Sequence, residues 1–282
     1  MREPRVRPME LSDVAEAASV AAASFEIDIS EPPAAERFRE RLAHLLRTDP
    51  EGAFVAVRSG RIVGAAEAMV RERLWCLSLL AVTPGQQSAG AGRALMERAL
   101  RYGNGASAGL IVGSNDPRAL RLYGRAGFTL RPTFEAAGPL NRRRLPRQHP
   151  DVLEDDDPDL EALEPISREI RGAPYTPELE LTLGQGGRLL RMGDRGFTVA
   201  HPSFGVWVLV ARDDEAAAAL LWGALELAGE LERPCVRWIT GEQEWAIRVV
   251  LEAGLRLSAT GALCVRGSPG TLRPFVPSGP FA

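Results

Sequence analysis

The chain has 282 residues, above the roughly 100–200 usual for one domain, so two domains are expected. With 45% hydrophobic and 25% charged residues, it has the composition of an ordinary globular protein rather than a disordered or fibrous one. A net charge of -3 creates no global field toward nucleic acid or an acidic membrane, so neither is an expected partner. All 34 basic residues are arginine, which excludes lysine-directed modification of its own side chains. Cys76, Cys235 and Cys264 are odd in number and form no Cys-x-x-Cys pair, so neither a disulfide framework nor a zinc site is indicated. They read as small buried hydrophobes in a reducing compartment. His44, His149 and His201 are scattered, and no metal is expected. The opening MREPRVRPMELSD lacks the apolar core of a signal peptide. No stretch reaches the roughly 20 apolar residues of a membrane span, so the expected location is the cytoplasm.

In chain order, Arg5 to Pro8 reads as a short strand. Ser12-Asp13 is expected to cap a helix with Val14, Ala17, Ala18 and Ala21 on one face. Pro32-Pro33 opens a second helix over 34–48 with Phe38, Leu42 and Leu45 inward. Ala53 to Val57 and Arg61 to Val70 read as strands joined by a turn at Ser59-Gly60. Trp75 to Val82 is Leu-dense, like a strand buried on both faces. A loop, Pro84 to Gly92, leads into a helix carrying Leu95, Ala99 and Leu100. Leu110 to Val112 is a buried strand, and a helix from Pro117 to Arg125 ends at Gly127, a C-cap position. Phe128 to Phe134 is the last strand of this half.

Residues 139–165 carry an Arg142–Arg144 run, an Asp155–Asp157 run and recurrent prolines, and read as an interdomain linker. Beyond it, 189–192, 197–201 and 206–211 read as strands, 213–229 as a long helix, 235–239 as a strand and 242–252 as a helix ending at Gly254. Residues 255–266 read as a strand pair. The order strand, helix, strand, helix, Gly, strand repeats that of the first half, so the second half is taken as a diverged copy.

The stretch from Val82 to Leu95, VTPGQQSAGAGRAL, is the most informative. A buried strand ends, a loop of small residues follows, and a helix begins. Free backbone N–H groups and the positive end of a helix dipole then face one place, a nest for phosphate. Gly90 and Gly92 let a ligand approach the backbone. The pattern Val-x-Pro-x-x-Gln-x-x-Gly-x-Gly-x-x-Leu resembles the pyrophosphate loop of the GNAT acetyltransferase family. Downstream, Asp116-Pro117-Arg118-Ala119-Leu120-Arg121-Leu122-Tyr123-Gly124-Arg125-Ala126-Gly127-Phe128 is similar to that family's Asn-x-x-Ala-x-x-Leu-Tyr-x-x-x-Gly-Phe. The resemblance covers residues 5–135. It implies acetyl-CoA as cofactor, held by Leu80, Ala81 and Val82 along the pantetheine arm and by Gln87, Ser88, Ala89, Gly90, Ala91, Gly92 and Arg93 at the pyrophosphate. It also implies contributions from Asp116 or Asn115, with the choice left open, and from Ala119. Tyr123 matches the tyrosine that protonates the departing thiolate in many members.

The resemblance implies direct transfer of acetyl to a primary amine of a small molecule or peptide, through a tetrahedral intermediate. It needs a base, and Glu67 and Glu72 are the carboxylate candidates; Cys76 and Ser78 are the other polar residues nearby. Glu26 and Asp28 are candidates for holding the amine. The alternative is a non-catalytic acyl-CoA sensor that keeps the loop and lacks turnover. The expected fold is α/β, with two GNAT-like domains, each a mixed, mostly antiparallel, splayed sheet flanked by helices. Residues 1–140 are expected to form the acetyltransferase domain, 141–165 the linker and 166–282 a degenerate copy. In that copy Asp213-Asp214-Glu215 replaces the glycine loop and would repel a polyanion. The copy could shape the acceptor pocket or stand in for a dimer partner, so a monomer or a homodimer would fit. The apolar tail from Phe275 to Ala282 is expected to dock on a domain surface.

Overall fold

The structure is a computed structural model describing residues 4–87, 90–147, 149–201, 205–228 and 234–282. The chain divides into two compact units, Met1–Ala106 and Ser107–Ala282. Each is a mostly antiparallel sheet flanked by helices.

The first unit contains β1 (Arg5–Pro8), α1 (Val14–Phe25), α2 (Pro32–Thr48), β2 (Ala53–Arg58), β3 (Arg61–Arg71), β4 (Leu74–Val82) and α3 (Ala91–Tyr102). Its strands lie in the order β1-β2-β3-β4, all antiparallel. One face carries Val55, Ala65, Leu79 and Ala81 against Ala17 and Ala21 of α1 and Leu42 of α2. The other carries Phe54, Val63 and Ala66 against Ala91 and Leu95 of α3. Covering both faces explains why β3 and β4 read as apolar runs rather than alternating ones. The buried Asp49 carboxylate, just past α2, accepts from Val70 N (2.9 Å), Arg71 Nη1 (2.8 Å) and the Tyr102 hydroxyl (2.8 Å). It ties α2, β3 and α3 together with charge-assisted hydrogen bonds. Asp13 does not cap α1 with its side chain. It lies in a 3-10 turn, and its carboxylate reaches back to Glu10 N (2.8 Å) and to Arg7 (2.6 and 2.8 Å).

The second unit contains β5 (Ala108–Gly113), α4 (Pro117–Arg125), β6 (Thr129–Ala137), β7 (Leu153–Asp155), α5 (Glu164–Ile170), α6 (Thr176–Gly184), β8 (Arg188–Met192), β9 (Gly196–His201), β10 (Gly205–Ala211), α7 (Asp214–Leu227), β11 (Cys235–Thr240), α8 (Glu244–Glu252), β12 (Arg256–Gly267) and β13 (Phe275–Val276). Its strand order is β5-β12-β6-β11-β10-β9-β8-β7, with β13 on β10. The stretch 255–266 is one long strand, not a strand pair. β12 runs between β6, aligned over Thr129–Ala137, and β5, aligned over Ala108–Gly113, with its register slipping at Gly261. A strand late in the chain therefore completes the strand-helix-strand made by β5, α4 and β6. Helices α7 and α8 bury Leu220, Leu221, Val249 and Val250 against Leu209 and Ile239. Three short elements escape the sequence pattern. β7 lies inside the Pro-rich stretch and pairs with β8, and α5 and α6 follow it.

Candidate functional site

In the first unit, the residues expected to hold a polyanion follow β4. The Thr83 N–H bonds the Val63 carbonyl (2.9 Å), and Gln86 N bonds the Thr83 carbonyl (3.0 Å), so the chain turns directly off the strand end. The Val82 carbonyl accepts from the Gln87 side chain and the Ser24 hydroxyl, both at 3.3 Å. Gln87 thus shapes the loop from within. Ser88 and Ala89, both expected at the pyrophosphate, lie outside the described residues. Gly90 is the N-cap of α3 at φ 87°, a left-handed conformation open to glycine at little cost. Among the described residues no side chain caps this helix, and its first turn holds no acid. The amides of Ala91, Gly92 and Arg93 therefore open α3 without intrahelical acceptors, at the positive end of its dipole. The Arg93 side chain bonds Glu97 (3.1 Å) one turn on. Ala91 and Leu95 seat the helix start beside Leu80 and Val82, while Ala81 faces the opposite core.

Glu67 and Glu72 have different surroundings. Glu72 is exposed, in the turn between β3 and β4 at φ 53°. Seven residues, six of them in β4, separate it from Leu80, roughly 25 Å along an extended strand. Glu67 is 1% exposed, and neither carboxylate oxygen has a hydrogen-bond partner. Burial pushes its pKa up to about 8, with the Arg41 charge acting weakly in the other direction. It sits opposite Leu79 at a β-bulge. Ala68 pairs with Leu77 and Glu67 with Leu79, leaving Ser78 as the extra residue. The Ser78 hydroxyl is also buried and unbonded. A carboxyl poised near neutrality can take a proton from an ammonium group, and two unbonded polar groups at a bulge mark a place where strand geometry serves something other than stability. Glu26 ends α1 at φ 55°, and Asp28 accepts from Ser30 N (2.9 Å); both are turn residues.

In the second unit, the expected residues follow β5. Asp116 is the N-cap of α4. Its carboxylate accepts from Arg118 N (2.8 Å) and grips the Arg118 guanidinium (2.8 to 3.2 Å), which holds its pKa below the usual carboxylate range. Asn115 is exposed one residue earlier, and Ala119 is half-buried on the helix. Tyr123 is buried on α4, and burial raises its phenol above the ordinary value, with Cys264 and Asp116 adding to the shift. It therefore keeps its proton at neutral pH, as a proton donor must. Gly113, at the end of β5, was not singled out from sequence. A Cβ there would lie 2.9 Å from Tyr123 Cε2, so the ring position requires glycine. A glycine closing an apolar run just before a helix cap was the available signal.

Among the described residues, no group of three His, Cys, Asp or Glu side chains could hold a metal ion. No helix among them is long and apolar enough to cross a membrane.

Residues 18–128 match the model of the acetyltransferase (GNAT) family. This stretch includes the β4 loop, α3 and α4. A mycothiol acetyltransferase of Streptomyces bingchenggensis is 41% identical over 86 residues, which is 29% of this chain and 28% of that relative. The alignment thus spans under a third of either protein. A candidate acetyltransferase from Pyrococcus horikoshii superposes with a TM-score of 0.81 at 16% identity, covering 100% of this chain and 95% of its own. A tandem GNAT protein from the clavulanic acid biosynthesis pathway superposes with a TM-score of 0.62 at 17% identity, covering 95% of this chain and 100% of its own. At such identities the superpositions speak for the fold.

Proposed function

Because residues 18–128 match the acetyltransferase (GNAT) family model, we propose that the protein moves acetyl from acetyl-CoA to a primary amine of a small molecule or peptide. The observation carrying this reading is the uncapped, acid-free start of α3 behind Gly90, which fits a pyrophosphate. The amides of Gly90 to Arg93 and the strand end from Leu80 to Val82 would hold the cofactor, together with Asn115, since Asp116 is engaged by its own helix. Acetyl-CoA supplies an activated thioester carbonyl. A backbone N–H near Leu80 to Val82 stabilises the charge that develops on the carbonyl oxygen. Glu67 takes the proton of the attacking ammonium, and Tyr123 returns one to the departing sulfur, so the proton count balances. Glu72, exposed in its turn, is the weaker base candidate.

Residues 1–140 are proposed as the catalytic domain, 141–165 as the connection and 166–282 as a degenerate copy. Three buried cysteines outside any disulfide fit a cytoplasmic setting. The test is a calorimetric titration with acetyl-CoA, followed by coenzyme A release across an amine panel that includes the acceptor of the mycothiol acetyltransferase relative. Binding plus turnover is expected. Binding without turnover on a broad panel would favour the acyl-CoA sensor, and no binding would overturn both readings.

A further inference from the structure

β10 and β11 run parallel, and among the described residues they align at one pair, Val206 with Val236. Toward its C-terminal end β10 has another neighbour. β13 lies antiparallel to it, with Leu209 opposite Val276 and Val210 opposite Phe275. The Ala211 N–H also bonds the Pro274 carbonyl (3.3 Å). A diverging pair of strands leaves main-chain donors and acceptors on its inner edges, and buried groups of that kind need partners. Residues 272–276 meet that need.

Gln243, the N-cap residue of α8, grips the same segment. Its Nε2 donates to the Leu272 carbonyl (2.8 Å), and its Oε1 accepts from Phe275 N (3.2 Å) and from Trp245 Nε1 (2.8 Å). The indole thereby fixes which way the amide faces. One side chain thus bridges an acceptor and a donor three residues apart on the bend that leads into β13. Apolar burial supplies the rest: Leu272, Phe275, Val276 and Phe281 are each no more than 2% exposed. Phe281 packs edge-on against Trp207 at 5.7 Å, and Arg171 donates to the carbonyls of Phe281 (2.7 Å) and Ala282 (2.6 Å).

We infer that the cleft between β10 and β11 is a binding site for an apolar peptide that adds a short strand to β10, with residues 268–282 as its resident ligand. The second unit thus holds a peptide in its splayed sheet. Asp213, Asp214 and Glu215 at the start of α7 make it a poor seat for a polyanionic cofactor.

The test inserts a protease recognition sequence between the exposed Gly267 and Ser268, so that the full chain folds before it is cut. After cleavage, the 268–282 segment is expected to co-elute with the remainder on gel filtration. A fluorescein-labelled synthetic peptide of residues 268–282 should compete for the site at one per chain. The same peptide with Phe275→Asp should bind at least about tenfold more weakly, a comparison made on one folded protein. Acetyl-CoA stoichiometry should be the same before and after cleavage. Release of the segment from a still-folded remainder would overturn the inference. So would equal binding of the Phe275→Asp peptide, or a second equivalent of acetyl-CoA bound after cleavage. None of these results depends on turnover, so the acetyltransferase reading stands or falls separately.

Discussion

The ring of Tyr123 lies so close over Gly113 that a Cβ at position 113 would come within 2.9 Å of it. The backbone at the end of β5 thus sets where the phenol sits. Gly113→Ala is expected to lower kcat by about tenfold and to leave acetyl-CoA affinity within about twofold, because it displaces a proton donor and no binding group. Tyr123→Phe should lower kcat by about 100-fold. Steady-state kinetics beside calorimetric affinity check both, and a full-rate Tyr123→Phe enzyme would remove the phenol from the reaction.

If Glu67 is the base, activity and stability should respond to pH in opposite directions. As a base it works once deprotonated, so kcat/KM should rise with pH along a limb centred near about 8, and Glu67→Gln should flatten that limb while lowering the rate. Stability behaves otherwise. The folded-state pKa lies above the unfolded value of 4.5, so between those values the folded chain holds a proton that the unfolded chain has lost. The stabilisation is full below about 4.5 and is lost as pH rises toward 8. Glu67→Gln should therefore unfold at a higher temperature than the parent at pH 8 and differ little at pH 4. Thermal melts across pH check this, and parallel melting curves for both proteins would contradict it.

The two glycines of the proposed phosphate loop should respond differently to alanine. Gly90 sits at φ 87°, where a side chain strains the backbone by about 1–2 kcal/mol. Gly92 has room: its added Cβ would meet Val82 Cγ2 at an ordinary 3.6 Å. Gly90→Ala should lower the melting temperature and weaken acetyl-CoA binding together. Gly92→Ala should melt like the parent, so any affinity it loses reports a clash with ligand.

Asp116 and Asn115 separate cleanly by the same measurements. Asp116→Ala removes the cap of α4 and should cost about 1 kcal/mol of stability. Asn115→Ala leaves the cap alone and should instead raise KM for acetyl-CoA by several-fold.

What could be read from the chain divides by the range of the forces involved. β4, the loop after it, α3 and α4 are written locally, in an apolar run, a Gly-x-Gly and a capped helix ending at Gly127. The candidate phosphate nest was legible for that reason. β12 reads as two strands in sequence because its continuity across the irregularity at Gly261 depends on β5 and β6, which lie far away along the chain. β7, α5 and α6 are too short to show a period. Glu67 could be named as a carboxylate on a strand, but its lack of any hydrogen-bond partner arises only when α2 and the sheet close over it. The apolar tail was plain in composition, whereas its seat beside β10 required Gln243, more than 25 residues upstream.

The position of β12 also bears on how the protein is made. Partners such as Val112 and Leu263 are about 150 residues apart, a separation that slows pairing. On the ribosome, β5, α4 and β6 emerge early and wait with unsatisfied edges until nearly the whole second unit has been translated. Unpaired strand edges invite association with other nascent chains. A chaperone that shields extended segments should therefore raise the yield of folded protein more than any change at the catalytic residues.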